Sequence, residues 1–104
     1  LRLDLDLSRP PVLRLRAGDT EWHHALTKRH AEIFALLHSA DPDGLSAKAL
    51  SLALFGDAEH LVTVRAEVSR LRRLHGALVD TQPYRLADVV ELTVHPAPGR
   101  PSEA

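Results

Sequence analysis

Cysteine and methionine are both missing from these 104 residues, lysine occurs only twice, and no apolar run is long. Without cysteine there is no disulfide framework, no thiolate metal site and no cysteine nucleophile. The absence suits a reducing compartment, so a cytoplasmic location is expected. The apolar runs are far too short to span a bilayer, and no charged-then-apolar leader opens the chain; no membrane partner is expected. With no methionine and Leu1 in first place, the sequence reads as a piece of a larger protein. Its positive charge is almost all arginine, eleven against two lysines, a codon-usage pattern expected of a GC-rich genome.

What is present is ordinary in bulk. Apolar residues make up 44% and charged residues 26%, which argues against general disorder and for one domain able to bury a single core. A net charge of −1 argues against a general polyanion binder and leaves room for a local basic face. Such a face exists in "TVRAEVSRLRRLHG" (63–76). The stretch from Leu61 to His75 sets Arg65, Arg70, Arg72 and Arg73 against Glu67, so it carries +3 and the remainder of the chain −4.

The chain begins with strict alternation. In "LRLDLDL" Leu1, Leu3, Leu5 and Leu7 share one side, and "VLRLR" repeats the pattern with Leu13 and Leu15 inward. "SRPP" between them cannot continue a ladder, so a hairpin is predicted. Placing Leu7 opposite Leu13 and Leu5 opposite Leu15 would set Asp6 across from Arg14 and Asp4 across from Arg16. Gly18-Asp19 then turns into a third segment around Trp22, roughly 21–26. At Thr27 the period becomes helical: Ala31, Ile33, Phe34 and Leu37 recur on one face, with Thr27 as cap. "SADPDG" ends this helix. A second is capped by Ser46 and stopped by Gly56; a third runs from about Val62 or Thr63 to His75 and is closed by Gly76. "ALVDT", a turn at Gln82-Pro83, "YRLA" and "VVELTV" return to strand character, and the end strands can share a sheet. "HPAPGRPSEA" reads as a disordered tail or linker.

On the third helix, with Val64 facing the core, Ala66, Ser69, Arg70 and Arg73 point away, and Arg65 and Arg72 flank them. Small residues in the middle of a face and guanidinium groups at its rim are what a helix needs to approach base edges in a major groove while pairing with phosphates. The second helix and its tight break at Gly56 complete a helix-turn-helix, whose second member is the reader. Arginine suits this work because its fork pairs with phosphate or guanine at two points.

Four pieces in order carry a family resemblance: "LT" (Leu26-Thr27), "LFG" (Leu54 to Gly56), "TVRAEVSRLRR" (Thr63 to Arg73) and "YRL" (Tyr84 to Leu86). Over roughly Leu1 to Leu86 the chain resembles the winged-helix effector domain of OmpR/PhoB-type response regulators. It is also similar to the winged helix at the C-terminus of GAF-sensor proteins of GC-rich bacteria, where "TVRAEVSRLRR" followed by "PYRL" is typical. The resemblance implies an α+β fold: an N-terminal antiparallel hairpin or sheet (1–26), a three-helix core (27–76), and a wing with a final strand (77–94), followed by the tail (95–104). It implies sequence-specific binding of double-stranded DNA as the output domain of a bacterial transcription regulator, with a sensor domain upstream. The chain departs from the pattern in three places. His30 stands where the family has a glutamate that completes a reciprocal cap. "GDAEH" is shorter than the loop the family uses to touch polymerase. "TQPYRL" replaces an Arg-Gly-x-Gly wing turn, leaving Arg85 as the wing's one obvious cation and most of the contacts to the third helix.

The expected base-edge residues are therefore Thr63, Arg65, Ala66, Ser69 and Arg70. Lys48, Arg72, Arg73 and Arg85 are expected at phosphates, Lys48 helped by the positive end of the second helix. Glu21, His23, His24 and His30 are competent metal ligands in kind. Adjacent His23 and His24 must point to opposite faces of a strand, however, so no metal is expected. His75, at a helix C-terminus, is expected in a modest structural role, its protonated form favoured by the helix dipole. Trp22 is expected as core or sheet cover. No histidine lies at helical spacing to activate Ser69, and the glycines form no phosphate loop, so neither an enzyme nor a cofactor is expected. The alternative reading is a winged helix serving as a protein-interaction or dimerisation module, with a homodimer as one form.

Overall fold

In a computed structural model of the chain, which describes residues 1–8 and 10–96, every predicted element is present. β1 (Arg2–Asp6), β2 (Val12–Ala17) and β3 (Thr20–Ala25) lead into α1 (Lys28–Ser39), α2 (Ala47–Phe55) and α3 (Leu61–His75). β4 (Val79–Asp80), β5 (Arg85–Leu86) and β6 (Glu91–His95) follow. The result is a small α+β fold with three helices and a mixed sheet. The predicted tail lies, but for His95 and Pro96, outside the described residues, as does Arg9 of the first turn.

The main sheet has the order β3-β2-β1-β6. β1 to β3 are antiparallel, and β6 adds parallel to β1, with Leu3 beside Leu92 and Leu5 beside Val94. A parallel neighbour requires a long crossover, and here all three helices lie within it. The ladder is extended at its ends: the Leu7 amide donates to the His95 carbonyl at 3.0 Å and the Glu91 amide to Leu1 at 2.9 Å. Sandwiched between β2 and β6, β1 fully buries Leu3 and Leu5.

The register of the first hairpin differs from the expected one by two residues. Leu5 faces Leu13 and Leu3 faces Leu15, so Asp4, and not Asp6, opposes Arg14, while Arg2 opposes Arg16. The faces are right because a two-residue slip preserves them; alternation alone cannot detect it. The turn decides. The Asp6 carboxylate accepts the Ser8 amide at 3.0 Å, closing a local turn directly after β1 and releasing Leu7 from β2. The like-charged Arg2 and Arg16 are each relieved by a neighbour: Glu91 lies beside Arg2 on β6, and Glu21 accepts from Arg16 Nε at 3.1 Å.

The helix caps follow the sequence. Thr27 Oγ1 accepts the His30 amide at 3.0 Å and Ser46 Oγ the Ala49 amide at 3.0 Å, each satisfying an orphan N–H of the first turn. Gly56 ends α2 in the left-handed region at φ 85°. α3 starts at Leu61, one residue earlier than expected, from a His60 that makes no side-chain cap. α1 is the central helix, packed on α2, α3, β1, β5 and β6, and it buries His30, Ala31, Ile33, Phe34 and Leu37.

Gly44 carries a constraint that its neighbours make plain. Leu45 exchanges two backbone hydrogen bonds with Tyr84, at 2.8 and 2.9 Å, tying the start of α2 to the β4–β5 hairpin. A Cβ on Gly44 would meet the Tyr84 carbonyl oxygen at 2.6 Å and Arg85 Cβ at 2.9 Å, and the residue's φ is +80°. Only glycine fits there.

Candidate functional site

α3 presents two faces of different character. Val64, Val68 and Leu71 are buried, at the helical spacing that the sequence predicts. Thr63, Arg65, Ala66, Ser69, Arg70, Arg72 and Arg73 are all exposed, so the seven candidates on this helix share one solvent-facing surface. Ala66 and Ser69 lie towards its middle, Thr63 near its edge, and the four guanidinium groups stand around them. Arg72 and Arg73 also sit in the last turn, where cations suit the helix dipole. Among the described residues Arg65, Arg72 and Arg73 make no ion pair, whereas Arg70 Nη1 donates to Glu67 Oε1 at 3.1 Å.

The two candidates outside α3 stand differently. Lys48 is exposed in the first turn of α2. Arg85, on β5, is only half exposed; it faces Asp80 across the hairpin and is paired with Asp88. The positive charge of the hairpin is thus already engaged, whereas three cations without an ion pair among the described residues, Arg65, Arg72 and Arg73, lie together on α3.

Polar side chains that the sequence reading passed over set the pose of α3. Ser51 is fully buried on α2, where its hydroxyl donates to the Asp57 carbonyl at 2.7 Å and accepts the His60 amide at 3.0 Å. One side chain thereby holds both ends of the α2–α3 turn. Asp57 adds an acceptor for the Glu59 amide at 2.9 Å, and the Phe55 ring lies 4.5 Å from that of His60. Arg29 of α1 also lies over the Phe55 ring, 4.6 Å from its centroid. A serine within the apolar stripe of α2 was the available signal.

His30 explains the missing reciprocal cap. It is 1% exposed, and its Nε2 meets Glu67 Oε1 of α3 at 3.1 Å, so the side chain spans two helices and does not turn back to the start of its own. The same Glu67 oxygen serves Arg70, which links the buried histidine to the exposed face. At the far end of α3, His75 Nδ1 lies 2.9 Å from His24 Nδ1 of β3. Burial first, then the charges of His24 and His30, pull the His75 imidazole below its ordinary range. This corrects the expectation from the helix dipole: the site favours neutral His75 because removal from water outweighs the dipole.

His23 and His24 do point to opposite faces. His23 Nε2 pairs with Glu21 at 2.6 Å on the outer face of the sheet, while His24 meets His75 on the inner one. The bond from His23, followed by the charge of Arg16, holds the Glu21 carboxyl below its usual range. Among the described residues no group of three or more His, Asp or Glu side chains is arranged to hold a metal ion. No helix among them is long and apolar enough to cross a membrane. Trp22 departs from expectation. It lies on the inner face opposite Leu15, yet β3 is an edge strand and 47% of the residue remains in water.

Comparison with known proteins gives one point of reference. An uncharacterised 47.3 kDa protein of Rhodococcus erythropolis, described by its place in the thcA 5′ region, is 45% identical over 73 residues. The match covers 69% of this chain and 16% of that protein, so the chain spans about a sixth of its relative's length. No family model matches, and no solved structure does.

Proposed function

We propose that this chain is a winged helix-turn-helix domain of the kind it resembles in sequence, and that it binds double-stranded DNA sequence-specifically as the output domain of a bacterial transcription regulator. The observation that carries the proposal is the exposed face of α3, small in the middle and ringed by four arginines. Of these, Arg65, Arg72 and Arg73 have no acidic partner among the described residues, and Arg70 is paired with Glu67. In this reading α2 and α3, joined by the Ser51-held turn, form the helix-turn-helix, and α3 lies in the major groove. Thr63, Arg65, Ala66, Ser69 and Arg70 meet base edges, while Arg72, Arg73 and Lys48 meet phosphates. The β4–β5 hairpin is the wing. Its Arg85 reaches a phosphate only by leaving Asp88, so the wing adds little and α3 dominates. The relative's much greater length leaves room for a sensor domain in a protein built the same way.

Two substitutions test the assignment. Selection of bound duplexes from a random pool should enrich one motif with the native chain. Arg70→Ala should relax preference at one or two positions of that motif, at a cost of about 1–3 kcal/mol. Arg73→Ala should weaken all sequences alike and lower the salt slope by about one. An unchanged slope would remove Arg73 from the phosphate contacts.

A further inference from the structure

β3 is an edge without the usual protection. Its six residues are in continuous register with β2, with no bulge, no proline and no lysine, and its outer rim of backbone groups is unpaired among the described residues. The chain's single tryptophan sits at its centre, half exposed. We propose that β3 pairs antiparallel with β3 of a second copy, joining two sheets edge to edge about a twofold axis at Trp22.

Geometry and charge select this register. The Leu26 amide bonds to the Pro11 carbonyl at 3.0 Å. By the alternation of an antiparallel ladder, His24, Trp22 and Thr20 then bond inward to β2, and Glu21, His23 and Ala25 offer their N–H and C=O groups outward. A twofold at Trp22 places Glu21 of each copy opposite His23 of the other, and both are outward-bonding residues that exchange two backbone bonds per pair. The Trp22 residues then face each other as a non-hydrogen-bonded pair, the closer kind, and cover each other's exposed rings. Shifting the axis by one residue toward Glu21 or toward His23 sets glutamate against glutamate or histidine against histidine. Only the Trp22-centred register is self-complementary in charge. The Glu21–His23 pair already made within each strand becomes half of an alternating ring of four. The opposite edge is less suited: His95 of β6 is bound to Asp4 at 2.9 Å, and Pro96 ends the strand. This pairing uses no residue of α3 proposed to touch DNA, so it stands or falls apart from that proposal.

Sedimentation equilibrium of the full chain over a concentration series, with Trp22 fluorescence read in parallel, tests it. The expected result is a monomer–dimer equilibrium whose dimer emits at shorter wavelength. His23→Glu, which faces Glu21 of the partner with a like charge, should weaken association at least about tenfold, and Glu21→Lys should do the same. Both positions are exposed, and an unchanged circular dichroism spectrum would show that the fold is kept. Mixing the two variants should restore association, because lysine of one then faces glutamate of the other. A chain that stays monomeric to millimolar concentration would overturn the proposal. So would a dimer indifferent to both substitutions or to their mixing.

Discussion

His30 stands where a reciprocal helix cap would need glutamate, and the structure turns that departure into a tie between helices. Its Nε2 is satisfied by Glu67, while Nδ1 has no partner. Glu67→Ala would leave both nitrogens of a buried imidazole unsatisfied and should cost about 1–3 kcal/mol, measured by urea denaturation. It would also release Arg70, so binding of DNA to the folded fraction should strengthen while stability falls. A variant that lost stability without any gain in DNA affinity would show that Glu67 does not restrain Arg70. Part of this was legible: His30 falls on the apolar stripe of α1, and Glu67 lies three residues from Val64 and four from Leu71 on the core side of α3. Periodicity is enough to put both residues near the core, although the apolar residues alone draw attention to those faces. It does not say which polar groups meet there, because that depends on how two helices cross.

At the scale of elements, local chemistry was sufficient wherever the controlling contact is near in sequence. Thr27 and Ser46 cap their helices, Gly56 ends α2, and the exposed face of α3 is the one its spacing predicts. The hairpin register failed by two residues because the Asp6–Ser8 turn competes with one more leucine pair, and alternation is blind to that choice. Gly44 is a stronger case of a hidden constraint. Its neighbours in space, Tyr84 and Arg85, lie some forty residues away in the chain, so sequence spacing cannot announce the contact. Gly44→Ala combines a positive φ with a clash against backbone, and a loss of about 2–4 kcal/mol is expected. Thermal denaturation followed by circular dichroism measures it. A change below about 0.5 kcal/mol would mean that the hairpin moves aside without cost.

Across the whole molecule, α3 is seated at two points by histidines: His30 with Glu67 near the middle of the helix, and His24 with His75 at its C-terminus. Nitrogens 2.9 Å apart share one proton, and a second would set two N–H groups against each other. With its folded-state pKa lowered, His75 takes up a proton in the unfolded chain first. Its contribution to stability is therefore complete above about pH 6.5 and is lost as pH falls below that value. Melting temperature should drop more steeply between pH 7 and 5 in the native chain than in His75→Gln; equal slopes would remove His75 from that linkage. The parallel place of β6 beside β1 belongs to this scale too, and alternation in "VVELTV" indicated a strand without indicating its partner. Charge placement, by contrast, was readable from the order of residues alone: a chain at −1 overall keeps +3 on α3, and that helix turns its arginines outward. The most direct test of the account is fluorescence anisotropy of a mixed duplex pool titrated with the chain across a salt series. The account predicts that log affinity falls linearly with log salt, with a slope set mainly by the phosphate contacts of Arg72, Arg73 and Lys48. No binding even at the lowest salt would contradict it and assign the arginine face of α3 to a protein partner.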